Sequence, residues 1–247
     1  KIISHFKIID KIGVGGMGEV YLAEDILLDR KVALKFLPTQ YTSDRDIVER
    51  FKREAKAAAA LNHPNIIMVH EVGEDDRQTF IDMEYVKGES LRDRMKRQLS
   101  PNESSELISQ FCDGLSKAHQ AGIVQRDIKP ENIMIENNGK SWIADFGLAI
   151  SEDEQQKQTR ELAGTPVYMA PEQIQGRVDF LDPRSDIWAI GVMFYELLTG
   201  KLPFNGKTRQ ALTEQICEMD PRPLQQRAPG HLTEEMNEIF LRCCAKK

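Results

Sequence analysis

No apolar stretch of this chain is long enough to cross a bilayer as a helix. The longest run, residues 187–195, holds nine residues, against the roughly 20 that a membrane span needs. Basic blocks are missing too: 33 Lys and Arg face 39 Asp and Glu, a formal net charge of −6, so the positive patch of a nucleic-acid-binding domain is absent. Cysteine is scarce. Cys112, Cys217, Cys243 and Cys244 have neither zinc-site spacing nor the density of a secreted disulfide scaffold, and they read as reduced thiols of a cytoplasmic domain. No internal repeat or low-complexity tract interrupts the chain. It opens at Lys1 with neither Met nor a signal peptide, as expected of a segment cut from something longer.

What is present is an ordinary globular composition: 247 residues, 40% of them hydrophobic, enough for one large domain or two closely packed lobes. Residues 7–12, 20–23 and 31–36 are short β-rich stretches separated by Gly-rich or polar turns. Beyond them the pattern becomes helical. Residues 104–121 carry apolar side chains at helical spacing and stop at Gly122, and residues 184–199 are apolar nearly all round, which predicts a buried helix ended by Gly200 and Pro203. A β-rich first third and a helical remainder predict an α+β protein of two lobes. The expected division is an N-lobe of residues 1–84, a hinge at 85–89 and a C-lobe of 90–247.

Four groups of residues could carry chemistry. Gly13-Val14-Gly15-Gly16-Met17-Gly18 holds a G-x-G-x-x-G pattern. In dinucleotide-binding folds a helix follows these glycines, whereas here residues 20–23 continue as strand, so the glycines cap a hairpin. Such a flap brings backbone N–H groups to phosphate oxygens with no Cβ in the way; a plain structural turn would use the same residues. Lys35 is second. It shares one strand face with the small Ala33, while Val32, Leu34 and Phe36 take the other, although strand lysines are commonly solvated edge residues. Third, residues 46–61 form a helix pattern in which Ile47, Phe51, Glu54, Ala58 and Leu61 share one stripe. A carboxylate within that stripe needs a cation, for which Lys35 is the candidate, or else reaches solvent from the margin. Fourth, Arg126-Asp127-Ile128-Lys129-Pro130-Glu131-Asn132 precedes a hairpin of residues 133–135 and 142–144 turning at Asn138-Gly139, with Asp145-Phe146-Gly147 directly after it. Two carboxylates, an amide and a lysine at strand ends are the oxygen-rich surroundings that hard cations such as Mg²⁺ take.

In combination, GVGGMGEVYLAED, VALKFL, RFKREAKAAAALNHPNI, DMEYVKGESL, RDIKPENIMI, DFGLA, GTPVYMAPEQ and SDIWAIGVMFYELLTGKLPF resemble a eukaryotic-type protein kinase catalytic domain, most like the bacterial serine/threonine branch. The resemblance runs from about Phe6 to the chain end and implies a bilobal kinase fold. It implies ATP as cosubstrate with Mg²⁺ or Mn²⁺, and proteins bearing Ser or Thr as phosphoryl acceptors. It gives no nucleic-acid or membrane partner for this segment, and it leaves oligomeric state, accessory domains and anchoring of the whole protein open.

By that similarity Gly13, Gly15 and Gly18 cover the ATP phosphates, and Lys35, paired with Glu54, binds the α- and β-phosphates. Val20, Ala33 and Met134 sandwich the adenine, Met83 is the gatekeeper, and the backbone of Glu84 and Val86 bonds the adenine edge. Asp127 orients the acceptor hydroxyl and takes its proton, Lys129 steadies the phosphoryl group, and Asn132 and Asp145 hold the metal. Residues 145–172 form the activation segment. Its polar part, 151–159, is expected to be mobile, with Thr159 the candidate phosphosite and Arg126 the cation that would bind its phosphate.

The chain departs from the family pattern at three places. Gln125 replaces a customary histidine, with at most a modest loss expected. Asp82 replaces an apolar residue and, if buried, needs a partner. The chain also ends at Lys247, before the helical region that supplies an arginine for the glutamate matching Glu172, so a longer chain is expected to melt higher. Two other readings stand beside an active kinase: a weakly active or inactive nucleotide-binding signalling module, and a small-molecule phosphotransferase, which would lack the GTPVYMAPE segment.

Overall fold

The structure, a computed structural model, describes residues 1–15, 18–97, 99–145, 166–177, 182–224 and 232–246, without the side chains of Arg50 and Glu54. Strands β1 (Ile2–Ile3), β2 (Phe6–Gly15), β3 (Gly18–Asp25), β4 (Arg30–Phe36), β5 (Val69–Asp75) and β6 (Gln78–Glu84) form a six-stranded sheet in the order β1-β2-β3-β4-β6-β5. Every neighbour in it is antiparallel. The β5–β6 hairpin turns through Asp76 and Arg77, both at positive φ (47° and 63°), the left-handed pair that matches the twist of the flanking strands.

Helix α1 (Arg45–Ala59) is inserted between β4 and β5, and starts where the Asp44 carboxylate caps the amides of Asp46 and Ile47. Of the predicted stripe, Phe51, Ala58 and, just beyond the helix end, Leu61 are buried and Ile47 is partly buried, while Ala55, which the stripe does not include, is buried as well. A small sheet of β7 (Gly88–Ser90), β8 (Ile133–Glu136) and β9 (Ser141–Ile143) lies on the helical side. The remaining helices are α2 (Leu91–Arg94), α3 (Pro101–Gln120), α4 (Pro171–Ile174), α5 (Pro183–Thr199), α6 (Arg209–Glu218) and α7 (Glu234–Cys243). The α+β class follows directly. Among the described residues no helix is long and apolar enough to cross a membrane, and all four cysteines are free thiols.

Two faces of the six-stranded sheet take two different cores, which is the period-two alternation read on β4. Val32, Leu34 and Phe36 pack with Phe6 and Phe80 on one side, and Ala33 packs with Met83, Val86 and Trp142 on the other. Helix α5 is the axis of the helical part. Ile190, Met193 and Leu197 meet Phe111 and Leu115 of α3 on one flank, while Trp188, Val192 and Tyr195 meet Phe204, Leu212 and Phe240 on the other. Each such large apolar side chain contributes about 1.5–3 kcal/mol on burial. This explains an apolar pattern with almost no polar face. The helix ends at Gly200, whose φ of 64° is left-handed, the conformation that favours glycine.

Asp82 resolves toward the buried alternative, at 1% exposure. It does have partners: His70 Nδ1 lies 3.2 Å and Arg30 Nη2 3.7 Å from its Oδ2. Arg30 also bonds Asp25 through Nε, at 3.4 Å, so one guanidinium serves two buried carboxylates. Burial alone would push the Asp25 carboxyl up, but the Leu28 and Leu27 amides, with His5 and Arg30, hold it below the ordinary carboxylate range. A depressed native value makes ionised Asp25 stabilising above the unfolded pKa of about 3.9, and that stabilisation disappears as pH falls through the lower native value. Asp25→Asn is therefore expected to lower stability at pH 7, with the deficit closing below about pH 4. Urea unfolding of both proteins across pH 3–7 checks this; a deficit that persists unchanged in acid would refute it.

Candidate active site

Beside the glycine hairpin, backbone geometry dictates the residue type. Gly15 pairs with Gly18 across β2 and β3, and Gly18 sits at φ 120°, where an added Cβ would lie 1.9 Å from the Phe36 carbonyl oxygen. Only glycine permits that approach. Gly16 and Met17, at the tip, lie outside the described residues. Val20, next along β3, pairs with Lys35, and Ala33 pairs with Met83 on β6. Val20, Ala33, Met83, Val86 and Met134 belong to one apolar cluster, which places the residues expected to line an adenine slot together. The Glu84 amide donates to the Met68 carbonyl at 2.9 Å. The N–H and C=O of Val86 have no partner among the described residues, so they are free to bond a ligand edge.

Lys35 is 3% exposed, and its Nζ donates to Asp145 Oδ1 at 2.7 Å. An isolated ammonium in such a place would be costly; the carboxylate across the cleft removes that penalty. The expected Lys35–Glu54 pair lies outside the described residues. Glu54 itself is on α1.

Asp127, Lys129 and Asn132 form a second group, fixed by a short 3₁₀ turn, Pro130–Asn132. Lys129 Nζ donates to Asp127 Oδ2 at 2.7 Å, and Asn132 Nδ2 donates to the Asp127 carbonyl at 2.8 Å and to Oδ2 at 3.0 Å. Among the described residues Asp127 Oδ1, Asn132 Oδ1 and, beside Lys35, Asp145 Oδ2 accept no bond. An amide oxygen and a carboxylate oxygen without donors of their own suit a hard divalent cation, which typically takes one or two carboxylates and completes its shell with phosphate and water. Among the described residues no cluster of three or more His, Cys, Asp or Glu could hold a metal alone. The donor set thus fits a cation shared with a phosphate ligand.

The two groups are held in one frame by residues that sequence reasoning did not assign. Asp186, in the first turn of α5, is fully buried and accepts from the Gln125 amide at 2.9 Å, the Arg126 amide at 2.8 Å and His119 Nε2 at 2.7 Å. Arg126 has φ 67° and Asp145 φ 59°, left-handed conformations that cost a non-glycine residue about 1–3 kcal/mol each. Arg126 is pinned at both ends, because its carbonyl accepts from Gln173 Nε2 at 2.7 Å. Gln125 is itself buried. Its Oε1 accepts from the Asp127 amide at 2.6 Å, and its Nε2 donates to the Asp145 carbonyl at 3.2 Å, with the Ala144 carbonyl at 3.5 Å. The available signal for Asp186 was a carboxylate directly before the long apolar run of this helix.

On the far side of the loop, Arg92 of α2 donates to Glu131 at 2.8 Å and to Glu196 of α5 at 2.9 Å, and also bonds the Tyr168 hydroxyl. Tyr168 in turn donates to Glu196. Burial and the neighbouring Glu196 carboxylate push the Tyr168 phenol far above its ordinary range. Ser185 Oγ donates to Glu172 at 2.8 Å, so that glutamate has a partner within the chain. Phe146, Gly147, residues 151–159 with Thr159, Gly164 and Thr165 lie outside the described residues.

Comparison with known proteins gives the family. The family model described as protein kinase domain matches residues 6–247. The chain is 37% identical, over 100% of its length, to the serine/threonine-protein kinase PrkC of Bacillus subtilis, and 42% identical, over 95%, to the serine/threonine-protein kinase pkn3 of Myxococcus xanthus. To the serine/threonine-protein kinase PknB of Mycobacterium leprae it is 40% identical over 96%. It spans only 38%, 45% and 39% of those three proteins respectively. Among solved structures, the Mycobacterium tuberculosis PknI kinase domain is similar with a TM-score of 0.74 at 28% identity, covering 99% of this chain and 89% of that one. The bilobal α+β fold and the bacterial serine/threonine branch that the motifs implied are both borne out.

The Asp186 joint generates a stability prediction. Asp186→Ala leaves the buried Gln125 N–H and the part-buried Arg126 N–H without their acceptor, at about 1–3 kcal/mol for a buried group and less for the second. Loss of about 3 kcal/mol, or roughly 6–12 °C in Tm for a chain of this size, is expected in a thermal melt. A change under about 1 kcal/mol would show that the loop holds its shape without this carboxylate.

Proposed function

Because the chain belongs to the protein kinase domain family, we propose that it transfers the γ-phosphoryl group of ATP to serine and threonine hydroxyls of proteins, its own activation segment among them. The observation that carries this reading is the convergence of Lys35, Asp145, Asp127, Lys129 and Asn132, joined by hydrogen bonds of 2.6–3.2 Å through Gln125 and Asn132. None of Lys35, Asp127 and Asp145 is replaced, so the inactive-module alternative has no lost residue in its favour.

In this reading the glycines at 13, 15 and 18 lie over the phosphates, and the Lys35 ammonium binds the α- and β-phosphates. The adenine enters between Val20, Ala33 and Met134, with Met83 at the back and the backbone at Glu84 and Val86 along its edge. Asn132 Oδ1 and Asp145 would hold the divalent cation, Mg²⁺ or Mn²⁺, which when bound neutralises charge on the phosphate oxygens. The acceptor hydroxyl donates its hydrogen bond to the free Asp127 Oδ1. As the new P–O bond forms and the bond to the ADP oxygen breaks, the hydroxyl proton passes to Asp127. Lys129, already tied to Asp127, places its positive charge where the transferring oxygens pass. Most of the rate then comes from positioning and charge stabilisation.

Lys129 two residues after Asp127, and the GTPVYMAPE segment, support serine/threonine acceptors, and the free thiols fit a reducing, cytoplasmic compartment. The lobes divide near the hinge at residues 85–89. Arg126 is exposed and makes no ion pair among the described residues, which supports a role in binding a phosphate on Thr159.

Labelled γ-phosphate supplied as Mg-ATP is expected to appear on the protein itself and on a generic basic protein, mapped to Ser and Thr. Asp127→Ala should lower the rate by about 10²–10⁴-fold, the usual range for a lost general base. Equal labelling by Asp127→Ala, or none by the unaltered protein, would overturn the reading. Thr159 is expected among the labelled sites, with Thr159→Ala lowering activity; an unlabelled Thr159 together with full activity of the variant would remove it.

A further inference from the structure

The β8–β9 ribbon divides its side chains between two cores. Ile133, Ile135 and Ile143 pack with the helices, whereas Met134, Trp142 and, just past β9, Ala144 belong to the cluster beneath the six-stranded sheet, with Ala33, Met83 and Val86. Met134 and Trp142 are paired across the ribbon, as Ala33 and Met83 are across β4 and β6. Among the described residues beyond Val86, Trp142 is the one fully buried member of that cluster; Met134 and Ala144 are only partly buried. No hydrogen bond holds its ring, because the buried indole N–H has no acceptor among the described residues. The Lys140 ammonium instead lies 3.7 Å from the ring centroid, a cation–π contact.

Backbone bonds beside Trp142 tie β9 to the segment before β5: the Ile143 N–H donates to the Asn65 carbonyl at 2.8 Å, and the Ile67 N–H to the Ile143 carbonyl at 3.0 Å. They do not fix how far β4 stands from β9. That spacing falls to the side chains of the shared cluster, of which Trp142 is the largest. Two positions beyond Ala33, on the same strand face, comes Lys35; three positions beyond Trp142 comes Asp145, whose Oδ1 accepts from Lys35 Nζ at 2.7 Å. We propose that Trp142 is a positioning residue: its ring is the spacer between the sheet and the β8–β9 ribbon that sets Lys35 against Asp145. The consequence for activity rests on the kinase reading of the site, whereas the spacing itself does not. Phenylalanine keeps a flat ring and forfeits no hydrogen bond, while leucine leaves a void into which the sheet can shift.

The test compares unaltered protein with Trp142→Leu and Trp142→Phe. Ile216→Ala, which opens a void in the cluster on the other flank of α5, is the control for lost stability, and every protein is studied at a temperature where its melt shows it folded. Acetylation of Lys35 by sulfo-N-hydroxysuccinimide acetate, followed by peptide mass spectrometry without nucleotide, reads how often the amine leaves Asp145, because access to a buried group tracks its local opening. Trp142→Leu is expected to be labelled at Lys35 about tenfold faster, Trp142→Phe within about threefold of unaltered protein, and Ile216→Ala at the unaltered rate. In steady-state transfer, Trp142→Leu should lower kcat/KM for ATP by about 10–100-fold, as a small misplacement of a binding group does, and leave the peptide KM within about twofold, since the loop bearing Asp127 is held by Asp186 instead. If Trp142→Leu does not fold, Trp142→Met takes its place with the same expectations. The proposal is overturned if the folded leucine or methionine variant labels Lys35 at the unaltered rate, if Ile216→Ala labels it as fast as they do, if Trp142→Phe is no better than Trp142→Leu, or if the peptide KM rises together with that for ATP. Should the unaltered protein transfer no phosphate, the kinase reading fails by itself, and the labelling rates at Lys35 still decide the spacer.

Discussion

The Asp186 carboxylate is the constraint on which the loop bearing Asp127 depends. Among the described residues it is buried without a cation from Lys or Arg, so its charge has to be balanced by oriented hydrogen bonds, and three are supplied: two backbone amides and His119. A place in the first turn of α5 adds the favourable end of the helix dipole. In exchange the carboxylate fixes where residues 125 and 126 lie relative to α5, the most deeply buried of the long helices among the described residues. Because α5 is packed on both flanks, that position cannot drift without disturbing both cores. The loop therefore inherits the rigidity of the core, although it has almost no regular structure of its own.

Strain is distributed around this joint in a telling way. The non-glycine residues at positive φ include four in surface turns and two, Arg126 and Asp145, at the site. Each of the latter is tied at a peptide group by a side chain from elsewhere in sequence: Arg126 by Asp186 and Gln173, Asp145 by Gln125. A left-handed residue turns its side chain away from the direction an extended strand would give it. For Asp145, the continuation of β9, this turns the carboxylate toward Lys35, whereas the alternation of the strand alone would not specify that meeting.

Periodicity and turn chemistry made the elements legible in the sequence. The alternation on β4 separated Ala33 and Lys35 from Val32, Leu34 and Phe36, and the two cores divide along that line. Gly122 and Gly200 marked helix ends, and the all-round apolar pattern of residues 184–199 marked the central helix. The clustering of Asp127, Lys129, Asn132 and Asp145 was legible because their spacing places them at adjacent strand ends. Illegible were the contacts that join residues far apart in the chain by one or two hydrogen bonds. Neither Asp186 meeting Gln125, 61 positions away, nor Arg30 serving both Asp25 and Asp82 leaves a periodic trace. A single buried polar side chain announces that a partner exists but not which one.

Arg92 shows how the same physics fixes the opposite side of the loop. Burial disfavours its charge, yet Glu131, Tyr168 and Glu196 more than offset that and keep the guanidinium ionised. Since the Tyr168 phenol is held neutral, it acts as a donor to Glu196 while accepting from Arg92. Neither Arg92 nor Tyr168 changes protonation near neutrality, so the joint has one state where a histidine-based joint would have two. It ties α2, which follows β7, to the loop bearing Asp127 through Glu131, to α5 through Glu196, and to residue 168 just before α4. The loop bearing Asp127 is thus gripped from α5 at two places, by Asp186 at the start of the helix and by Glu196 near its end. With both grips on one rigid helix, rotation of the loop about either would strain the other, and the carboxylate of Asp127 is left with a single direction in which to point.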